Sequence, residues 1–97
     1  MAAYMIFEVV VTDFAGFREY AQGAGPTIAK YGGRFVGGPG TPETLEGDWT
    51  PQSLVILEFP SVEQARAWWN SPEYGEIKPI RERTATSKVV LVQGPPS

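Results

Sequence analysis

The sequence contains neither cysteine nor histidine. Without them the chain alone cannot build a disulfide, a Ser-His-Asp or Cys-His catalytic arrangement, or a zinc or haem site that depends on a histidine ligand. Carboxylates, tyrosines, lysines and arginines remain for polar chemistry. We therefore predict no metal site and no cofactor.

Charge is also scarce, because charged residues make up 20% of the chain and the formal net charge is -3. The chain is not basic enough to indicate nucleic acid, and its 42% hydrophobic residues are too many for disorder. The apolar residues 1–11 lack the features of a signal peptide, and Glu8 interrupts them well short of a membrane span. We expect a cytoplasmic, single-domain protein (residues 1–97) with no nucleic-acid or membrane partner.

The first third of the chain predicts a strand and a helix. Residues 4–11 are a nearly unbroken run of β-branched and aromatic side chains, which is typical of a strand covered on both faces. Thr12 or Asp13 can cap the helix that follows, and the glycine pair at residues 32–33 ends it. The glycines and proline within residues 23–26 are expected to kink or break that helix.

The rest of the chain predicts three further strands and a pair of helices. A strand begins at residues 34–36, and after a glycine- and proline-rich loop residues 43–46 return as a ribbon at the sheet edge. Residues 53–59 are a continuous apolar strand, and the capping box that starts at Ser61 opens the helix pair. The last strand covers residues 88–93.

This order is β-α-β-β-α-β with an elaborated edge ribbon, an α+β sandwich of ferredoxin-like type in which the helices cover one face of the sheet. The strands nevertheless carry apolar residues at both odd and even positions, so both faces of the sheet are apolar. The open face, which the helices leave uncovered, must then be buried in another way. A second copy of the chain is the simplest cover. We therefore predict a homodimer that packs through the open sheet face.

Two carboxylates, Glu8 and Glu58, lie in the strands that should be central and adjacent. If they met in a dry site, one pKa would rise and the pair could act as a general acid or base. The alternative is that each lies near a strand end and reaches water or a cation. Both interpretations stay open at the level of the sequence.

Arginines and aromatic residues suggest further sites. Arg34 and Glu46 could face each other across the edge ribbon, as a structural ion pair or at the entrance to the cleft between helices and sheet. Trp68 and Trp69 cannot both point inward from one helix, so one sits at a margin where a ligand or a subunit could stack. Four cations either bind an anion or form a solvated helix face: Lys78, Arg81, Arg83 and Lys88.

Four short motifs occur in a specific order and spacing: YGGRF at residues 31–35, LEG at 45–47, LEFPS at 57–61 and WNSPEY at 69–74. Together they resemble the bacterial family called domain of unknown function 1330. The resemblance implies the dimeric α/β-barrel superfamily, in which two such sheets pack face to face. That superfamily includes cofactor-free monooxygenases, haem-degrading enzymes, muconolactone isomerases and chlorite dismutases, so it implies no single reaction. The lack of histidine argues against the haem enzymes.

With this resemblance we predict a small-molecule site between helices and sheet, either catalytic without a cofactor, like the monooxygenases or isomerases, or purely binding. Its ligand is small and anionic or aromatic, and its residues are Arg34, Glu46, Trp69, Tyr74 and Arg81. The arginines hold an anionic group, Tyr74 donates a hydrogen bond and Trp69 packs against the ligand. No residue is assigned a catalytic role.

The alternative is a non-catalytic dimerisation, ligand-binding or regulatory module, in which the same residues brace the edge ribbon and the subunit contact. Convergence of these side chains on one pocket would favour the small-molecule site, whereas separate surface pairs would count against it.

Overall fold

A computed structural model describes residues 1–96, so residue 97 of the predicted domain lies outside the described residues. The strands form one antiparallel sheet in the order β2-β3-β1-β4, which confirms the ferredoxin-like arrangement. The elements along the chain are β1 (Ala3–Val11), α1 (Phe14–Lys30), β2 (Arg34–Gly40), β3 (Leu54–Phe59), α2 (Val62–Trp69), α3 (Pro72–Thr84) and β4 (Ala85–Gln93).

Strand β1 is central and pairs with β3 on one side and β4 on the other. Ile6 lies opposite Ile56 of β3 and Val90 of β4. Because successive side chains of a strand point to opposite faces, alternate residues of β1 divide between the two sides of the sheet. Ala3, Met5, Phe7 and Val9 are buried beneath the helices, whereas Tyr4, Ile6, Glu8 and Val10 are half-buried on the open face.

The core lies between the sheet and the helices, and Trp68 is its largest fully buried side chain. The Trp68 ring lies 4.1 Å from the ring of Tyr74 and 5.5 Å from that of Phe59, measured between ring centres. Its indole Nε1 donates a hydrogen bond to Thr27 Oγ1 at 3.0 Å. One tryptophan of the adjacent pair is therefore inside, and Trp69 is the half-buried member at the margin.

Side-chain caps start all three helices. Asp13 Oδ1 accepts from the backbone N–H of Gly16, and Ser71 Oγ accepts from that of Tyr74, both at 3.1 Å. At α2, Ser61 Oγ accepts from the backbone N–H of Gln64 at 3.1 Å, which is half of the predicted capping box. The side-chain amide of Gln64 instead donates to the carbonyl of Tyr31 at 3.1 Å, and this contact ties α2 to the end of α1.

Helix α1 is continuous, so the chain does not break within residues 23–26, where a kink or a break was expected. Proline inside a helix removes one backbone hydrogen bond and clashes with the carbonyl four residues earlier. Here the buried face of α1 continues on both sides of Pro26, because Tyr20, Ala24 and Ile28 all pack into the core. Tertiary packing therefore holds the helix together across a locally unfavourable residue.

Strand β2 is longer than expected, since residues 37–40 belong to it rather than to a loop. Its pairing with β3 shifts register at two places. Gly38 has φ +70°, and a Cβ there would lie 2.0 Å from the carbonyl oxygen of Leu54. Only glycine allows β2 to approach β3 so closely at this position.

The ribbon predicted at residues 43–46 is wrong, because residues 41–53 form no strand. Thr44 Oγ1 donates to the carbonyl of Trp49 at 2.7 Å, so the segment closes on itself instead of pairing with β2. Glu46 lies exposed in this loop.

No helix within residues 1–96 is long and apolar enough to cross a membrane.

Candidate functional site

An apolar cavity of about 300 Å³ lies between α1 and the sheet. An engineered cavity of about 150 Å³ holds benzene, so this one has room for a larger ring system. Ala21 and Phe35 line the cavity and are also exposed, so it reaches solvent between α1 and the edge strand β2. Its walls are formed chiefly by Phe7, Val9, Tyr20, Ala24, Ile28 and Val55.

One charged side chain, that of Arg81 in α3, contributes to the cavity wall. Arg81 is 6% exposed. Its Nε donates a hydrogen bond to Tyr74 Oη at 3.2 Å, and its guanidinium carbon lies 5.7 Å from the ring centres of both Phe7 and Trp69. The aromatic faces offer partial electrostatic stabilisation of the cation.

Among residues 1–96 the buried guanidinium has no counter-ion. The ion pairs among residues 1–96 are Lys30–Glu73 and Arg34–Glu58, so no carboxylate of this region neutralises Arg81. Within the same residues, no carboxylate lines the cavity. A buried charge without a partner is costly, and an anion in the cavity would relieve that cost.

Tyr20 and Tyr74 connect Arg81 to α1. Their hydroxyl oxygens lie 2.9 Å apart, and both side chains are buried. Burial, together with the neighbouring Tyr74 hydroxyl, raises the pKa of Tyr20, so its hydroxyl keeps its proton at neutral pH.

Sequence reasoning missed Tyr20 as a site residue, although Tyr20 lines the cavity. The available signal was its place on the buried α1 face with Ala24 and Ile28, at helical spacing. A buried tyrosine hydroxyl normally needs a hydrogen-bond partner, and that partner could have been sought among the other polar aromatic residues.

Trp69 packs beside Arg81 and does not line the cavity. It borders a separate, more open cleft of about 480 Å³ at α3 and β4, which Lys78 and Arg81 also line. Lys78 Nζ lies 4.0 Å from the centre of the Trp69 ring. Trp69 therefore contacts two cations.

Arg34 lies away from this cavity, on the open face of the sheet. Its Nε and Nη2 approach Glu58 Oε1 at 2.8 Å and 2.7 Å, and Tyr4 Oη donates to Glu58 Oε2 at 3.1 Å. Hydrogen bonds from Arg34 and Tyr4 hold the pKa of Glu58 below its usual value. The predicted Arg34–Glu46 pair is wrong, because Arg34 lies directly opposite Glu58 in the β2–β3 register and Glu46 lies in the loop.

Glu8 and Glu58 do not form an acid–base pair. Glu8 lies opposite Leu54, four residues from Glu58 along β3, which corresponds to about 13 Å. Glu8 Oε2 instead accepts from Trp49 Nε1 at 2.9 Å. Glu58 reaches a cation, as the alternative interpretation predicted.

Of the five residues predicted for the site, Arg81 lines the cavity, Tyr74 accepts a hydrogen bond from it behind the cavity wall, and Trp69 packs next to it. Arg34 and Glu46 lie elsewhere.

Comparison with known families matches residues 2–95 to the family described as "Domain of unknown function (DUF1330)". The chain belongs to this family. The family description names no reaction, so the cavity has to be interpreted from its own chemistry. A search of curated proteins gives no match.

Solved structures share the fold of this family member at low sequence identity. A protein of unknown function from Rhodopseudomonas palustris has 20% identity and a TM-score of 0.78, over 99% of this chain and 84% of its own. SnoaB, a cofactor-independent oxygenase from Streptomyces nogalater, has 15% identity and a TM-score of 0.69, over 99% and 95%. A dimeric protein of unknown function with a ferredoxin-like fold, from Bacteroides fragilis, has 12% identity and a TM-score of 0.66, over 96% of each chain.

Proposed function

We propose that this protein binds a small, largely apolar anion in the cavity between α1 and the sheet. The observation that carries the proposal is Arg81, a buried cation at the wall of an apolar cavity, without a carboxylate partner among residues 1–96. Apolar walls with a few convergent polar groups are typical of small-molecule sites. The guanidinium orients the anionic group, and the apolar walls hold the rest of the ligand.

The size of the cavity indicates the ligand class. Its volume of about 300 Å³ is about twice that of a cavity that holds one benzene ring. The walls carry the aromatic rings of Phe7, Phe17 and Phe35, which favour a flat, conjugated ligand. A carboxylate on a fused two-ring system meets both requirements.

Binding is better supported than catalysis by the residues of the cavity. Removal of a proton from a substrate, as an isomerase requires, needs a base near the ligand. The polar side chains that line the cavity are Tyr20 and Arg81, of which the first keeps its proton and the second stays cationic in proteins. A ligand that enters already as an anion needs no such base.

Oxygenase chemistry is the catalytic form of the proposal, because SnoaB, which shares the fold, is described as a cofactor-independent oxygenase. Oxygen uptake in the presence of a bound anionic ligand, measured with an oxygen electrode, separates a catalytic from a purely binding site. A regulatory module would bind the ligand without oxygen uptake.

A cytoplasmic location stays a prediction from the sequence.

Thermal-shift titrations with 1-naphthoate and its neutral analogue 1-naphthamide test the proposal, because a ligand of the native state raises the melting temperature. We expect 1-naphthoate to give the larger shift. The variant Arg81→Met should weaken 1-naphthoate binding roughly tenfold to hundredfold and leave 1-naphthamide unaffected. Methionine keeps an unbranched apolar side chain at this position and removes a buried charge, so this variant should fold.

Arg34→Met is the matched control, since it removes an exposed arginine from the open face. We expect it to bind 1-naphthoate like the wild type. Equal shifts of the melting temperature with 1-naphthoate and 1-naphthamide would contradict the role of Arg81. Equal losses of 1-naphthoate affinity in Arg81→Met and Arg34→Met would contradict it too.

We also propose that a second copy of the chain covers the open face of the sheet. This face carries apolar side chains that are only half-buried or exposed, with Val90 55% and Val92 48% exposed. Removal of apolar area from water contributes about 25 cal/mol per Å², from which the cost of association is subtracted. The Bacteroides fragilis protein of similar fold is described as dimeric, which supports self-association of this chain. In the proposed dimer the two sheets pack against each other and the helices lie outside.

A further inference from the structure

Three buried side chains form a line of polar groups that ends at the cavity. Tyr74 Oη lies 3.2 Å from Arg81 Nε and 2.9 Å from Tyr20 Oη. The exposed fractions of Tyr74, Arg81 and Tyr20 are 0%, 6% and 7%. Tyr20 and Arg81 line the cavity, whereas Tyr74 lies behind them.

The directions of these hydrogen bonds follow from which groups can donate. An arginine Nε–H is always a donor, so Tyr74 Oη accepts from Arg81. A buried hydroxyl proton without an acceptor costs free energy. For the Tyr74 proton, the acceptor that the structure provides among residues 1–96 is Tyr20 Oη. If Tyr20 donated instead, the fully buried Tyr74 proton would have no acceptor in this part of the chain.

Tyr74 therefore donates to Tyr20, and the Tyr20 proton is left to donate elsewhere. Within residues 1–96 the side-chain acceptor in reach of the Tyr20 proton is Tyr74 Oη, since the neighbouring Arg81 can only donate, and Tyr20 borders the cavity. From this geometry, and resting on the proposed function, we infer that Tyr20 and Arg81 jointly bind one anionic oxygen group of the ligand. Tyr74 is the positioning residue that holds both of them, rather than the ligand donor expected from the sequence.

This pair of donors defines the class of ligand. Burial keeps the Tyr20 hydroxyl protonated, and the cavity walls are otherwise apolar, so both donors strongly favour a charged acceptor. The ligand is then an acid that binds in its deprotonated form, such as a phenolate, an enolate or a carboxylate attached to a conjugated system. A weakly acidic ligand should lose its proton on binding at a pH where the free ligand keeps it.

4-Nitrophenol tests the inference, because its phenol and phenolate forms absorb at different wavelengths. We expect the wild type to bind it as the phenolate below the pH at which the free probe ionises. Tyr20→Phe should weaken phenolate binding roughly tenfold to hundredfold and leave the binding of nitrobenzene, which has no acidic proton, unchanged. Retained nitrobenzene binding also shows that the variant is folded.

Tyr4→Phe is the matched control, because it removes a tyrosine hydroxyl that bonds to Glu58 on the open face. We expect this control to bind both probes like the wild type. Binding of 4-nitrophenol as the neutral phenol, or unchanged phenolate affinity in Tyr20→Phe, would overturn the inference and leave the proposed site in place. If the wild type bound neither 4-nitrophenol nor nitrobenzene, the proposed function itself would be overturned.

Discussion

At the residue scale, Glu73 joins the first turn of α3 to the end of α1. It forms an ion pair with Lys30 and accepts a hydrogen bond from Tyr31 Oη at 2.9 Å. The hydrogen bond from Lys30 is the main cause that lowers the pKa of Glu73 to about 2, with help from the backbone and Tyr31. A carboxyl group whose pKa is lower in the folded than in the unfolded protein stabilises the folded state at pH values above its unfolded pKa. This stabilisation is lost as the pH falls through the folded pKa.

We therefore expect Glu73→Gln to be less stable than the wild type near neutral pH and to lose less stability on acidification. The relevant window runs from the ordinary carboxyl pKa of 4.5 down to about 2. Urea unfolding at several pH values across this window measures the difference. Glu43→Gln, which removes an exposed carboxylate from the loop, should keep the wild-type pH dependence. If the free energy of unfolding of Glu73→Gln changed with pH in parallel with that of the wild type, Glu73 would not be a source of this pH dependence.

Individual site residues could be predicted from the sequence only where residues close to them along the chain provide the signal. Tyr74 and Arg81 follow from a motif and a run of cations, and the structure places them together. Tyr20 could not be found in this way, because its partner Tyr74 is 54 positions away. Arg34 is expected from the sequence to hold an anionic group, but its actual partner, Glu58, depends on the β2–β3 register, which the sequence does not show.

At the scale of elements, Gly33 sets how closely the end of α1 approaches β3. A Cβ at Gly33 would lie 2.6 Å from Phe59 Cε1 and 2.8 Å from Ile28 Cγ2. Both neighbours are buried in the core, which limits how far they can move. The close packing of helix on sheet here requires a residue without a side chain.

We expect Gly33→Ala to lower the free energy of unfolding by about 1 to 3 kcal/mol. Gly75→Ala is the control, since Gly75 lies exposed in α3, where an alanine methyl group would point into open space. Alanine favours the helix there and should stabilise the protein by about 0.5 to 1 kcal/mol. Chemical denaturation measures both, and a neutral Gly33→Ala variant would contradict the packing argument.

Elements with strong apolar patterns could be predicted, and those that depend on tertiary contacts could not. Strands β1 and β3 carry continuous apolar runs and are close to the predicted ranges. Four of the seven residues of β2 are glycine or proline, which have no strand pattern, so its extension to Gly40 depends on pairing with β3. The ribbon at residues 43–46 was expected from local sequence, yet the contact between Thr44 and Trp49 closes a loop instead.

At the scale of the whole molecule, the sheet presents an apolar face that residues 1–96 leave partly exposed. We expect the wild type to be dimeric by light scattering at micromolar concentration. Val90→Lys places a charge on the exposed centre of β4 and should shift the protein to a monomer, because burying that charge in an interface is costly. Phe14→Lys, at an exposed position of α1, should leave the dimer intact. A monomeric wild type would contradict the proposed interface.

Locating the ligand within the molecule tests directly whether it binds in the cavity between α1 and the sheet. Nuclear Overhauser effects between the ring protons of 1-naphthoate and protein methyl groups report which side of the sheet the ligand occupies. Our account predicts contacts to Ala24, Ile28 and Val55, whose side chains line the cavity between α1 and the sheet. Contacts to Ile56 and Val90 on the open face, without contacts to the cavity methyl groups, would contradict it.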